Sequence, residues 1–233
     1  MTIPSYRTEQ RTPAPYPPLK VALITMGLCL TWIAVSLFFS LFAPGTYEEA
    51  GKDARLFILR LGIPMITISI IATYFLLRRG TFHRLWREPT SVPQAPKWMY
   101  GLAVIPVVGA VAGVFFQIGN IFQGKAPLAL AAVVTLCAVG YVEELVCRGF
   151  VIDEMRRGGF SELHTALFSC LLFGSWHLPN AFIGVPIGTV IIQFFASALL
   201  GSLFYFLRRS TRKLWPGAAA HAGWDMMAFS LGS

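Results

Sequence analysis

Seven apolar runs divide this 233-residue chain, at residues 21–43, 56–77, 98–122, 127–152, 162–176, 187–207 and 216–231. A bilayer core is about 30 Å thick and takes about 20 helical residues to cross. Backbone polar groups find no water there, so a lipid-exposed run of this kind must close its hydrogen bonds as a helix. Composition agrees: 55% of residues are hydrophobic and only 13% are charged, against about 25% charged in ordinary soluble domains. The expected fold is all-α, a polytopic membrane bundle of about seven to eight transmembrane helices. The fifth and seventh runs are the shortest, and either suits a partial helix that lines a cavity.

The net charge of +8 comes from basic clusters between the runs. Arg78, Arg79, Arg84 and Arg87 follow the second, Arg156 and Arg157 the fourth, and Arg208, Arg209, Arg212 and Lys213 the sixth. This alternation fits the positive-inside rule and a lipid bilayer, not a nucleic-acid partner. It puts the N-terminus in the cytoplasm and the C-terminus outside. Residues 1–19 are polar and proline-rich and are expected to form a disordered cytoplasmic tail. Residues 20–233 are expected to form a single membrane-embedded helical domain. Cys29, Cys137, Cys147 and Cys170 lie in apolar surroundings and read as free thiols. Pro64 predicts a kink in the second helix. Gly109-x-x-x-Gly113 permits close helix approach, Arg60 is placed to snorkel to an interface, and Ser161 is placed to cap the fifth helix.

Within the apolar runs a few ionisable groups stand out: Glu143, Glu144, Arg148, His177, His221 and Asp225. A charge at mid-membrane costs at least about 2.5–3.5 kcal/mol on insertion scales, so such groups pair, face a cavity or do chemistry. Glu144 and Arg148 are four residues apart and share a helix face, as do His221 and Asp225. Glu143 is turned about 100° from Glu144 and has no local partner. Three helices thus each bring one polar site to the interior. The chemistry that fits is attack by water on a carbonyl. Glu143 can accept the proton of water and a neutral His177 can orient it. His221 with Asp225 can stabilise the developing oxyanion or fix a tautomer. Two histidines and a carboxylate also make a catalytic zinc set, although the His-Glu-x-x-His helix motif is absent. The residues leave open whether the site needs no cofactor or a divalent metal such as zinc.

Glu143-Glu144-x-x-x-Arg148, Phe173-x-x-x-His177 and His221-x-x-x-Asp225, in that order on successive apolar runs, resemble the three motifs of the CPBP family of intramembrane proteases. That family includes type II CAAX prenyl proteases and bacteriocin-processing or immunity proteins. The resemblance covers residues 126–233, the implied protease core. It implies an endopeptidase that acts on a membrane-associated peptide or protein, lipidated in some relatives, with a bacterial inner membrane as its location. It assigns Glu143 and His177 to water activation, His221 and Asp225 to the oxyanion side, and Glu144 and Arg148 to support of the site or the substrate chain. The Asp225 position carries Asn in some members. As a poorer donor, Asp225 is better suited to orienting His221.

Two other classes use the same residue types. A non-enzymatic scaffold or immunity protein would retain the fold without hydrolysis. A proton-coupled transporter would use buried carboxylates as a relay, but no internal repeat accompanies them. The endopeptidase reading carries a geometric demand. With seven full spans, His177 falls at the outer end of the fifth and His221 near the cytoplasmic start of the seventh. They meet only if the fifth helix stops mid-membrane or the seventh starts deep.

Overall fold

The computed structural model describes residues 13–45 and 47–232. Each apolar run is a helix. These are α1 (Pro18–Ser40), α2 (Ala54–Arg78), α3 (Lys97–Phe122), α4 (Ala126–Arg157), α5 (Glu162–Ser175), α6 (Ile187–Thr211) and α7 (Trp215–Gly232). Among the described residues six helices are long and apolar enough to cross a membrane; for α5 that length includes the 3₁₀ turn Leu178–Ile183. α7 is outside that set and is wedged between α3 and α4. The protein is therefore a multi-pass, all-helical membrane bundle. Large apolar side chains such as Ile70, Phe115, Ile192 and Leu199 stay exposed on its outside, where lipid is their natural solvent.

Local chemistry explains the helix ends. Asp53 accepts the Leu56 amide at 2.8 Å and caps α2. Ser161 accepts the His164 amide at 3.3 Å and caps α5, as expected. α2 carries a π-turn at Ile58–Gly62, just ahead of Pro64. Pro64 has no N–H to give the Arg60 carbonyl. That carbonyl instead accepts the Ser36 hydroxyl of α1 at 2.7 Å. The Arg60 guanidinium reaches out of the helix to the Gly45 carbonyl.

Small residues set the contacts of α7. A Cβ on Gly113 would overlap the Gly223 carbonyl and the Met227 amide, and one on Gly109 would meet the Trp224 ring. The Gly109-x-x-x-Gly113 face therefore packs on α7 backbone to backbone. On α4, a Cβ at Gly140 would come 2.6 Å from the Ala218 carbonyl and 2.7 Å from the Ala222 amide.

The basic segments are less exposed than the sequence suggests. Residues 79–96 fold back into the bundle, where Leu85 and Glu88 are buried. Glu88 pairs with Arg156 at 3.0 Å and Arg209 at 2.8 Å. Glu154, fully buried, pairs with Arg79 at 2.9 Å and with Arg157 at 3.3 Å. The clusters after the second, fourth and sixth runs thus join at one end of the bundle as an ion-pair network.

The described part of the tail expected to be disordered makes contacts with the bundle. The Tyr16 amide donates to Glu154 at 2.6 Å, the Tyr16 ring lies 3.5 Å under the Arg79 guanidinium, and helix begins at Pro18. Residues 1–12 of that tail lie outside the described residues.

The geometric demand is met by α7. Leu214, immediately ahead of α7, donates its amide to Trp86 and is 1% exposed. A Cβ on Gly149 of α4 would sit 3.4 Å from Leu85 and 3.5 Å from Leu214. Gly149 is eight residues, about 12 Å, from the end of α4 at Arg157. The seventh helix therefore starts deep, held there by the folded-back segment 79–96.

Candidate active site

α4 supplies the carboxylates. Glu144 Oε1 lies 3.0 Å from Arg148 Nη1, one helical turn on, and both side chains are fully buried. This is the pair expected from their spacing. The other face of the same guanidinium bonds the Gly201 carbonyl of α6 at 2.9 Å and lies 4.1 Å over the Phe173 ring. Desolvated charges are tolerated only when paired in this way. Gly217 of α7 closes the pocket from the other side, since a Cβ there would stand 3.0 Å from Glu144 Oε2.

His221 is the hub. Its Nδ1 faces Glu144 Oε1 at 3.3 Å. Its Nε2 lies 3.8 Å from Glu143 Oε2 and 3.5 Å from Asp225 Oδ2. The ring stacks on Phe204 of α6, with centroids 4.5 Å apart, and meets the edge of Phe173 at 5.4 Å. Glu143 is 5% exposed, and its contact with His221 is its one ion-pair contact among the described residues. Asp225 keeps a quarter of its side chain exposed.

His177 follows the end of α5 and stands edge-on to Phe173, with ring centroids 6.0 Å apart. The structure therefore gathers all six expected residues around Phe173, Phe204 and His221. Among the described residues the ion-pair contact of Glu143 is with His221, at 3.8 Å, and not with His177. Three further contributors carry no signal in the sequence. Phe204 and Gly201 are ordinary residues of an apolar run. Cys29 of α1 donates its thiol to the Trp176 carbonyl at 3.2 Å and so ties α1 to the turn that carries His177.

The donor set does not suit a metal ion. Among the described residues no three His, Cys, Asp or Glu side chains are grouped to hold one. Glu144 is already shared by Arg148 and His221, so a cationic guanidinium sits where a metal would draw charge. The arrangement leaves one buried carboxylate, Glu143, facing the His221 imidazole at 3.8 Å with no hydrogen bond between them.

No curated protein and no solved structure significantly matches the chain. Residues 125–227 match the family model described as type II CAAX prenyl endopeptidase Rce1-like. That stretch runs from the start of α4 into α7 and holds every residue of the site, and over it the chain is similar to the Rce1-like family of proteases.

Proposed function

We propose that this protein is an intramembrane endopeptidase in which Glu143 is the general base. The observation that carries this is the contrast between two adjacent carboxylates. Glu144 is neutralised by Arg148 and bonded to His221, whereas Glu143 has the His221 Nε2 edge alone, at 3.8 Å. Glu144 is held as structure, and Glu143 is left able to take a proton. In this reading a water held between Glu143 and His177 attacks the scissile carbonyl while Glu143 accepts its proton. His221, carrying protons on both nitrogens, donates Nδ1–H to Glu144 and offers Nε2–H to the oxyanion. Asp225 orients that imidazole from 3.5 Å. Glu143 then returns its proton to the leaving amine, so no proton is lost in the cycle. No step requires a metal.

The substrate class is a membrane-associated peptide, met at the polar end of the bundle. In this reading that end is the cytoplasmic one, in keeping with the positive-inside rule, with the N-terminus in the cytoplasm and the cell membrane as the location. The test is cleavage of a panel of membrane-peptide substrates by the purified protein and by Glu143→Gln, each with and without a strong chelator. Loss in Glu143→Gln with indifference to chelator is expected. Activity retained in Glu143→Gln, or abolished by chelator and restored by zinc, overturns this mechanism.

A further inference from the structure

The outer half of α6 carries an amide that neither the catalysis nor the ion-pair network uses. Gln193 lies six residues, about 9 Å, inside the helix, among the exposed apolar side chains of Ile191, Ile192 and Phe195. A polar group in such surroundings is costly unless its hydrogen bonds are made. Gln193 Oε1 accepts from Asn180 Nδ2 at 3.2 Å. That bond spends one end of each side chain. Asn180 Oδ1 and Gln193 Nε2 have no hydrogen-bond partner among the described residues, and both residues are partly exposed.

The pair is fixed beside His177. A Cβ on Gly174 would come 2.5 Å from the Phe194 carbonyl, so the end of α5 lies against the α6 backbone one residue from Gln193. The chain then turns as the 3₁₀ segment Leu178–Ile183, and the Asn180 amide donates to the His177 carbonyl at 3.1 Å. Three residues of such a turn place Asn180 about 6 Å beyond His177, a distance spanned by about two residues of extended peptide. His177 is itself partly exposed and lies within electrostatic reach of His221. His177, Asn180 and Gln193 thus lead away from the catalytic groups as an accessible polar row.

What the pair can bind follows from its chemistry. An acceptor and a donor held side by side complement a residue of an extended chain, which presents its own N–H and C=O on one edge. A helical peptide has no such edge, because its N–H and C=O groups bond one another.

We infer that Asn180 and Gln193 form a main-chain clamp for the substrate. Asn180 Oδ1 accepts an N–H, and Gln193 Nε2 donates to a C=O, of an extended segment about two residues from the scissile bond. This rests on the endopeptidase reading and deepens it: the segment must be unwound from helix, and the clamp reads its backbone instead of its side chains.

The experiment uses full-length protein in nanodiscs. In the first arm, an end-blocked fluorescent octapeptide of Leu, Val and Ser is bound to Glu143→Gln protein, which needs no catalysis. One peptide unit at a time is replaced by an ester, which removes one N–H donor. One position should lose affinity about fivefold, the worth of a neutral hydrogen bond. The same ester should cost nothing further once Asn180→Leu is added, because its acceptor is already gone. In the second arm, the membrane-peptide panel is cleaved by protein that retains Glu143. Gln193→Leu should raise KM about fivefold with kcat and its pH profile unchanged. The exchanged pair, Asn180→Gln with Gln193→Asn, should recover most of that loss. Unfolding temperature is read for every variant.

Binding with the ester penalty, but no cleavage by the wild type, would support the clamp and remove the endopeptidase reading. Cleavage together with binding that is indifferent to the ester at every position would remove the clamp and leave the endopeptidase reading standing. A lowered unfolding temperature in Gln193→Leu with unchanged KM and affinity would reduce the pair to a tie between the turn and α6. Failure of the octapeptide to bind at all would equally overturn the proposal, because a backbone clamp does not depend on side chains.

Discussion

The imidazole of His221 lies flat on the ring of Phe204, with 4.5 Å between centroids and 22° between planes. Phe204 makes no hydrogen bond in the site, yet it supports the plane in which both His221 nitrogens point at carboxylates. Phe204→Leu keeps the site apolar but removes the flat support. Stability is expected to fall by about 1–2 kcal/mol. Cleavage rate is expected to fall with little change in KM, and the pH profile to shift as His221 changes partners. Thermal unfolding together with steady-state kinetics over pH reads both. A stability loss with an unchanged pH profile would reduce Phe204 to simple packing.

Glu143→Gln and Glu144→Gln are expected to fail in opposite ways. The first removes a base from a carboxylate with one polar neighbour. It should cost about 10²–10⁴ in kcat with the fold retained. The second leaves the Arg148 guanidinium buried without its counter-charge, which costs about 3 kcal/mol or more in stability. Unfolding midpoints in detergent separate the two. Equal midpoints would erase the distinction drawn between the neighbouring carboxylates.

Gly217 is where α7 passes Glu144, and a Cβ there would crowd Glu144 Oε2 at 3.0 Å. Gly217→Val should push Glu144 off Arg148 and His221 and lower both activity and thermal stability. Gly188, where a Cβ would meet nothing within 4 Å, supplies the control, and Gly188→Ala is expected to be silent. Comparable losses in the two variants would show that the cost is not specific to the Glu144 contact.

Glu88 joins Arg156 and Arg209 with a side chain fully removed from solvent. Glu88→Gln should destabilise the protein by about 3 kcal/mol and loosen the segment that holds Leu214 at depth. High salt should not reproduce the effect, because buried pairs are weakly screened. Protease sensitivity of residues 79–96 is the direct measurement. A midpoint as salt-sensitive as that of an exposed pair would count against a buried network.

Much of the site was legible because it consists of exceptions. A charge in an apolar run is conspicuous, so Glu143, Glu144, Arg148, His177, His221 and Asp225 could be picked out in the sequence. The Glu144–Arg148 pair follows from a spacing of four. Their contributors from apolar runs were not legible. Phe204 and Gly201 are indistinguishable from lipid-facing neighbours, because membrane helices are apolar on inner and outer faces alike. Spacing offered Glu143 no local partner, and its ion-pair contact is made across helices, with His221 at 3.8 Å.

The sequence by itself determined seven helices, the membrane as their solvent, and the residues able to do chemistry. Each of these is a local property, carried by run length, side-chain type and helical period. Only the tertiary structure decided that α7 begins deep, that the basic segments pair with buried acids, and that His221 is the hub. Those outcomes depend on contacts such as Leu214 with Gly149 and Arg209 with Glu88. The partners are far apart in the chain, and packing of small residues and pairing of buried charge bring them together.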